Sequence, residues 1–326
     1  MQFGKFDFQI KLETDAILPP FKGSTFRGVF GTALKKVVCA LKQQTCDTCL
    51  LRDRCVYTLV FESPPDQDTE GAPSPPHPFI IEPPLTTKAH FATGASLDFN
   101  LLLFGRANEF LPYFVYAVEQ MGRTGIGQRI NGHRAVFQLS GVSSGAQVVY
   151  DPDSRKLLAV SPLDFSWEQF AAGISPFNCP EITIHLETPL RLKYENRLQA
   201  ELPFHVLVRA LLRRVTMLNR YFGNGEPDLD YKGLVARAQT VEIRESRLRW
   251  FDWRRYSNRQ EQAMLMGGLT GEVTYEGDLE PYIPLIRFGE LVHIGKATTF
   301  GLGKFAVKFP ESMISLSPVV GGRGPR

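Results

Sequence analysis

The chain has no uninterrupted apolar run long enough to span a bilayer, which excludes a helical membrane protein. Its start, MQFGKFDFQIKLE, also lacks the apolar core of a signal peptide, so a soluble cytoplasmic protein is expected. Charge of one sign is scarce: 37 lysines and arginines face 34 aspartates and glutamates, leaving +3. So small an excess excludes bulk attraction as the basis of nucleic-acid binding and leaves the placement of charge to carry any such case. No histidine precedes His77, so the N-terminal quarter lacks the side chain best suited to moving protons near neutral pH.

Glycine, by contrast, is concentrated in two places. HIGKATTFGLGKF (His293 to Phe305) is echoed by MGRTGIGQ (Met121 to Gln128). Glycine exposes backbone N–H groups and takes positive φ, so a basic Gly-x-Gly loop lets the main chain approach phosphate. Gly125, Gly127, Gly295, Gly301 and Gly303, with Arg123, Arg129 and Lys304 beside them, are therefore candidate RNA-binding residues. Tight turns alone could account for the glycines, but their recurrence after paired helices favours duplicated modules.

Other landmarks recur in the same order. Phe8, Ile10 and Leu12 alternate as in a half-buried strand, as do Ile182, Ile184 and Leu186. Phe26, Val29, Phe30, Ala33, Leu34 and Val37 then repeat at helical spacing, answered by Phe204, Leu207, Val208, Leu211, Leu212 and Val215. Ser24 or Thr25 is expected to cap the first helix, and Pro203 suits the opening of the second. Strands are predicted over 97–104 and 269–275. Helices follow over 107–120 and 280–292, each running into a Gly-rich loop and a last strand. This order predicts an α+β chain of two tandem ferredoxin-like (RRM-like) domains. Residues 1–150 form the first and 181–310 the second. Residues 151–180 are read as the linker, and 311–326 as a disordered tail. The Pro-rich stretch Ser63 to Pro78 is an exposed insert, in which His77 is expected to be disordered.

Two further clusters carry chemistry. Arg244, Arg247, Arg249, Arg254, Arg255 and Arg259 interleave with Trp250, Phe251, Trp253 and Tyr256. Guanidinium groups bind phosphate and aromatic faces stack on unpaired bases, which makes Arg254, Arg255 and Arg259 candidate RNA contacts. A charged strand edge that resists aggregation is the plainer alternative. Cys39, Cys46, Cys49 and Cys55 follow a C-x6-C-x2-C-x5-C spacing just after the first predicted helix. Cytosolic thiols so spaced suggest a metal rather than disulfides, and both structural zinc and a [4Fe–4S] cluster suit four thiolates. The spacing resembles the iron–sulfur loop of the endonuclease III class of DNA glycosylases, over this loop only.

W-F-D-W-R-R-Y-S-N-R-Q (Trp250 to Gln260), M-G-G-L-T-G-E-V-T-Y-E-G-D-L (Met266 to Leu279) and G-E-L-V-H-I-G-K-A-T-T-F-G-L-G-K-F (Gly289 to Phe305) carry a wider likeness. They resemble the C-terminal domain of CRISPR-associated precursor-crRNA processing endoribonucleases, the sixth Cas family within the RAMP superfamily. F-R-G-V-F-G-T-A-L (Phe26 to Leu34) and L-R-D-R-C-V-Y (Leu51 to Tyr57) are similar to the same family. The resemblance implies a protein that binds CRISPR repeat RNA and cuts precursor crRNA once per repeat without a catalytic metal. It also implies, as an alternative, a non-catalytic RAMP subunit that holds crRNA among the subunits of an effector complex. An iron–sulfur DNA-repair enzyme rests on the cysteine spacing alone.

RNA cleavage of this kind needs a base for the ribose 2′-OH, an acid for the departing 5′-oxygen and a cation for the phosphorane. Many members of the family carry a histidine at or just after the first helix, and this chain departs from that pattern. Among its six histidines, His293 ends a predicted helix beside Lys296, and both are expected to be catalytic. His90, near Lys88, is the next candidate. His133 is read as an RNA contact. The remaining option is a site without histidine, built on Lys35, Lys36 or Tyr57, in which close positioning of RNA supplies much of the rate.

Overall fold

Alternation in the first strand decides which side of the first sheet is buried. In β1 (Gln2–Leu12), Phe6, Phe8, Ile10 and Leu12 are buried, while Lys5, Gln9 and Lys11 face outward. The apolar row meets α1 (Gly23–Val38), whose Phe26, Val29, Phe30, Ala33 and Leu34 form one stripe. That helix opens at Gly23 with no side-chain cap, so Ser24 and Thr25 lie inside its first turn instead of capping it. The chain continues through β2 (Phe79–Glu82), β3 (Phe99–Phe104) and α2 (Leu111–Thr124). A hairpin of β4 (Ile126–Ile130) and β5 (His133–Ala135) precedes β6 (Phe137–Ser144) and β7 (Gln147–Asp151). These strands pair antiparallel in the order β7-β6-β1-β3-β2. The closing strand beside the first, then the third, then the second, is the ferredoxin-like arrangement.

The structure, a computed structural model, describes residues 1–62, 75–158, 161–175, 177–194, 197–198, 201–257 and 262–310. Most of the Pro-rich insert, the tail and Arg259 lie outside them.

The second unit repeats the pattern. After α3 (Trp167–Ala172) come β8 (Glu181–Leu190), α4 (Phe204–Phe222), α5 (Tyr231–Arg237) and β9 (Glu242–Ser246). Then follow β10 (Arg249–Ser257), β11 (Gln262–Glu276), α6 (Ile283–Val292) and β12 (Phe305–Lys308). The order is β9-β11-β8-β12, with β10 also paired along β11. Residues 151–180, read from sequence as a linker, carry structure on both sides. Leu163 and Asp164 pair with β1, and Trp167 packs edge-on against Phe288 at 5.6 Å.

The two units share a core. Phe3, Ile80, Leu102 and Phe104, on the face of the first sheet opposite Phe8 and Ile10, join the apolar cluster of the second unit. Phe104 stacks on Phe222 at 6.2 Å. Arg214 closes this seam: its Nε and Nη2 donate to the Val292 carbonyl at 3.0 and 2.8 Å, with the guanidinium 5.6 Å above Phe104. Burial lowers the Arg214 pKa to about 9. Arg214→Met removes both bonds and leaves a buried carbonyl unpaired, so a loss of about 1–3 kcal/mol is expected in urea unfolding.

Candidate active site

Where α1 meets the cysteine loop and the C-terminal Gly-rich loop, small residues clear the floor of a groove. Ser24, Gly28, Gly31 and Thr32 share one side of α1 and line a cavity of about 1530 Å³. Gly28 has open space where a Cβ would stand. Cations border this floor: Arg27, Lys35, Lys36, Lys42 and Arg134 all line the groove, against Asp47 and Glu62. Its far wall comes from the second unit as Trp253 and Phe300. The groove therefore exists only where both units meet.

Two cations are held by aromatic faces. The Arg27 guanidinium sits 4.9 Å from both the Phe61 and Phe300 rings, so residues of both units clamp it. Lys35 Nζ lies 5.2 Å from the Tyr57 ring centroid, and Tyr57 stacks on Phe61 at 5.2 Å. Burial disfavours the Lys35 ammonium, but Cys46, Tyr57 and Cys39 outweigh it and its pKa is raised. Burial, helped by Glu62, also raises the pKa of the Tyr57 phenol against the opposing pull of Lys35. Both groups therefore keep their protons at neutral pH. The groove can thus offer fixed positive charge and a neutral O–H donor to a phosphate.

The structure places the histidine candidates away from this groove. His293 has no exposed surface; its Nδ1 donates to the Leu302 carbonyl at 3.1 Å and its Nε2 bonds Glu82 Oε1 at 2.8 Å. It is a pin between the units and does not meet solvent, because β2 of the first unit covers the end of α6. Lys304 reaches the same Glu82 at 3.4 Å and Glu187 at 3.5 Å, so its ammonium is engaged in this pin. Asn100 donates to the other Glu82 oxygen at 2.8 Å. His90 is exposed on a two-residue strand beside Ile17 and does not line the groove. His77, expected to be disordered, bonds the Val60 carbonyl at 3.1 Å and packs on Phe79. No histidine is among the described residues lining the groove.

The other candidates divide. Gly127 lines the groove, with positive φ (79°) that brings the β4 strand against the Ile17 carbonyl. Gly301 is buried, and a Cβ there would lie 2.6 Å from the Ile81 carbonyl oxygen; the loop is glycine-rich at this point because it crosses the edge strand β2. Gly303 is buried as well, as is Gly125 in the echoing loop. Gly295, Lys296, Arg123 and Arg129 are exposed outside the groove. Arg254 and Arg255 fall on β10.

Among the described residues the four cysteines of the loop are not gathered into one metal-sized group. Cys39 and Cys46 line the groove beside Lys35, whereas Cys49 and Cys55 do not. All four are free and partly exposed, and among the described residues no three His, Cys, Asp or Glu side chains form a metal-sized group. Thiolate zinc and iron–sulfur sites need four converging ligands, so the residues as placed do not fit either group. Spacing along the chain left this convergence undetermined.

Arg27 is the groove residue that sequence reasoning passed over. The signal available was a lone arginine on an apolar helix, followed by Gly28, Gly31 and Thr32 at the spacing of one cleared face.

Each half of the chain matches a known protein family. Residues 184–305 match the family model of the CRISPR-associated endoribonuclease Cas6. Through these residues the chain carries a domain of the Cas6 family. Residues 1–162 match a second family model, described as an N-terminal domain. An uncharacterized protein of Archaeoglobus fulgidus is 26% identical over 298 residues, covering 89% of this chain and 93% of its own. Among solved structures, Cas6 of Thermus thermophilus is similar at 14% identity with a TM-score of 0.55, over 94% of this chain and 98% of that one. A Cas6 product complex gives 15% identity and 0.54 over 94% and 99%. A partial Cas6-RT-Cas1–Cas2 complex gives 14% and 0.56, over 99% of this chain and 48% of the other. These likenesses are of fold. Among the described residues of this chain no helix is long and apolar enough to cross a membrane.

Proposed function

We propose that this protein binds CRISPR repeat RNA and cuts precursor crRNA in the groove between α1, the cysteine loop and Phe300, without a catalytic metal. The observation that carries the reading is the pairing of Lys35 with Tyr57 beside the clamped Arg27, on a floor of small residues large enough for an RNA strand. The 2′-oxygen attacks phosphorus in line as its proton leaves to solvent base. Lys35 and Arg27 neutralise the charge that grows on the phosphorane. Tyr57, whose raised pKa keeps the phenol protonated, gives its proton to the departing 5′-oxygen and regains one from water. The products are a 2′,3′-cyclic phosphate and a 5′-hydroxyl. Positioning and electrostatics supply the rate, and no histidine is required.

The test is incubation of purified protein with its cognate repeat RNA in EDTA. A single cut leaving a cyclic phosphate is expected. Tight binding without a cut would favour a non-catalytic RAMP subunit that holds crRNA for an effector complex, a reading the histidine-free groove keeps in view. His293→Ala is expected to lower thermal stability while leaving the single-turnover rate of the folded protein unchanged, since His293 is enclosed away from the groove.

A further inference from the structure

We propose that Trp253 receives one unpaired nucleobase of the bound RNA at the wall of the groove, a role that rests on the RNA-cleavage reading above. Three observations converge on this side chain. It stands among aromatic faces: the Phe251 ring lies 5.8 Å away at 23° and the Phe21 ring 5.2 Å away at 58°. Phe21 precedes α1 in the first unit and Trp253 lies on β10 of the second, so the platform forms only when the units meet. Both rings line the groove that holds Arg27 and Lys35.

The third observation separates Trp253 from its neighbour. Trp250 donates its Nε1–H to Asp252 at 2.8 Å. Trp253 Nε1 is enclosed and has no hydrogen-bond partner among the described residues. An enclosed donor without an acceptor is rare in folded proteins and calls for a reason. A nucleotide answers it in two parts: its base stacks on the indole face, and the N–H, which points out along the ring edge, meets a sugar or phosphate oxygen of the same strand once the indole turns. The base must be unpaired, since bases inside an A-form helix are already stacked and their deep groove admits no side chain. An aromatic residue of a protein partner would fill the platform but leave the neighbouring cations unanswered, whereas a nucleotide brings its phosphate to them.

The test uses the full chain and its cognate repeat RNA carrying a single abasic residue, moved through each position flanking the cut. Trp253→Ala is expected to weaken binding on the order of 5- to 100-fold, the range found for removing one base-stacking aromatic. One abasic position should weaken binding to the wild type by a similar factor and add nothing in Trp253→Ala. Trp253→Phe, which keeps a stacking face but loses the N–H, should fall between. If Trp253→Ala does not fold, the abasic scan against wild type and Trp253→Phe carries the same comparison. Full additivity at every position, with the wild type still cutting the repeat, overturns the assignment alone. A wild type that neither binds nor cuts repeat RNA overturns the cleavage reading, and this role with it.

Discussion

Lys35→Ala is expected to slow single-turnover cleavage of repeat RNA by on the order of 100- to 1,000-fold, the usual cost of removing one preorganised donor from developing charge. RNA affinity should change little, because Lys36, Lys42 and Arg134 remain along the groove. Tyr57→Phe removes the proposed acid while keeping the ring that stacks on Phe61 and faces Lys35. Its rate should fall on the order of 100- to 10,000-fold, and a substrate whose 5′-oxygen is replaced by a better leaving group should recover most of that loss. A loss in affinity at constant rate would instead make these residues RNA anchors.

Glu82→Ala is expected to be strongly destabilising. Glu82 is buried, and its oxygens meet His293 at 2.8 Å, Lys304 at 3.4 Å and Asn100 at 2.8 Å. Removing one partner of a buried ion pair leaves the other charge uncompensated, at about 3–5 kcal/mol. In a domain-sized cooperative unit this lowers the melting temperature by roughly 10 °C. Burial raises the Glu82 pKa, but the opposing bonds and charges of His293 and Lys304 win and hold it well below the usual carboxylate range. A depressed carboxylate contributes stability that is full above the unfolded value and is lost as pH falls toward the folded one. Wild-type stability should therefore decline as pH drops below about 4.5, and Glu82→Ala should flatten that decline. Both appear in thermal melts taken between pH 3 and pH 7.

The repeated units were legible because their signals are local. Phe8, Ile10 and Leu12 do alternate on one strand, and the apolar spacings over 26–37 and 204–215 lie inside the helices Gly23–Val38 and Phe204–Phe222. The hairpin Ile126–Ala135 was missed because its glycines were read as one loop, and residues 151–180 because short strands leave little periodicity. His293 shows the larger limit. Its position after a helix and before glycines gives no hint that Glu82, 211 residues away, closes over it. Lys35 and Tyr57 were visible as an option, but only the stacking of Tyr57 on Phe61, which also faces the Arg27 guanidinium, brings the phenol to the cations of α1. The cysteines make the same point: their spacing permits a tetrahedron, yet the fold sends Cys39 and Cys46 to the groove without Cys49 and Cys55.

The most direct test is the pH dependence of single-turnover cleavage in EDTA. Lys35 and Tyr57 both have raised pKa values, and no histidine is among the described residues lining the groove. The rate should therefore climb smoothly from about pH 5.5 to 9 as solvent base becomes available, with no break near the ordinary histidine value of about 6.5. A bell centred near neutrality, abolished by replacing a histidine, would contradict the account.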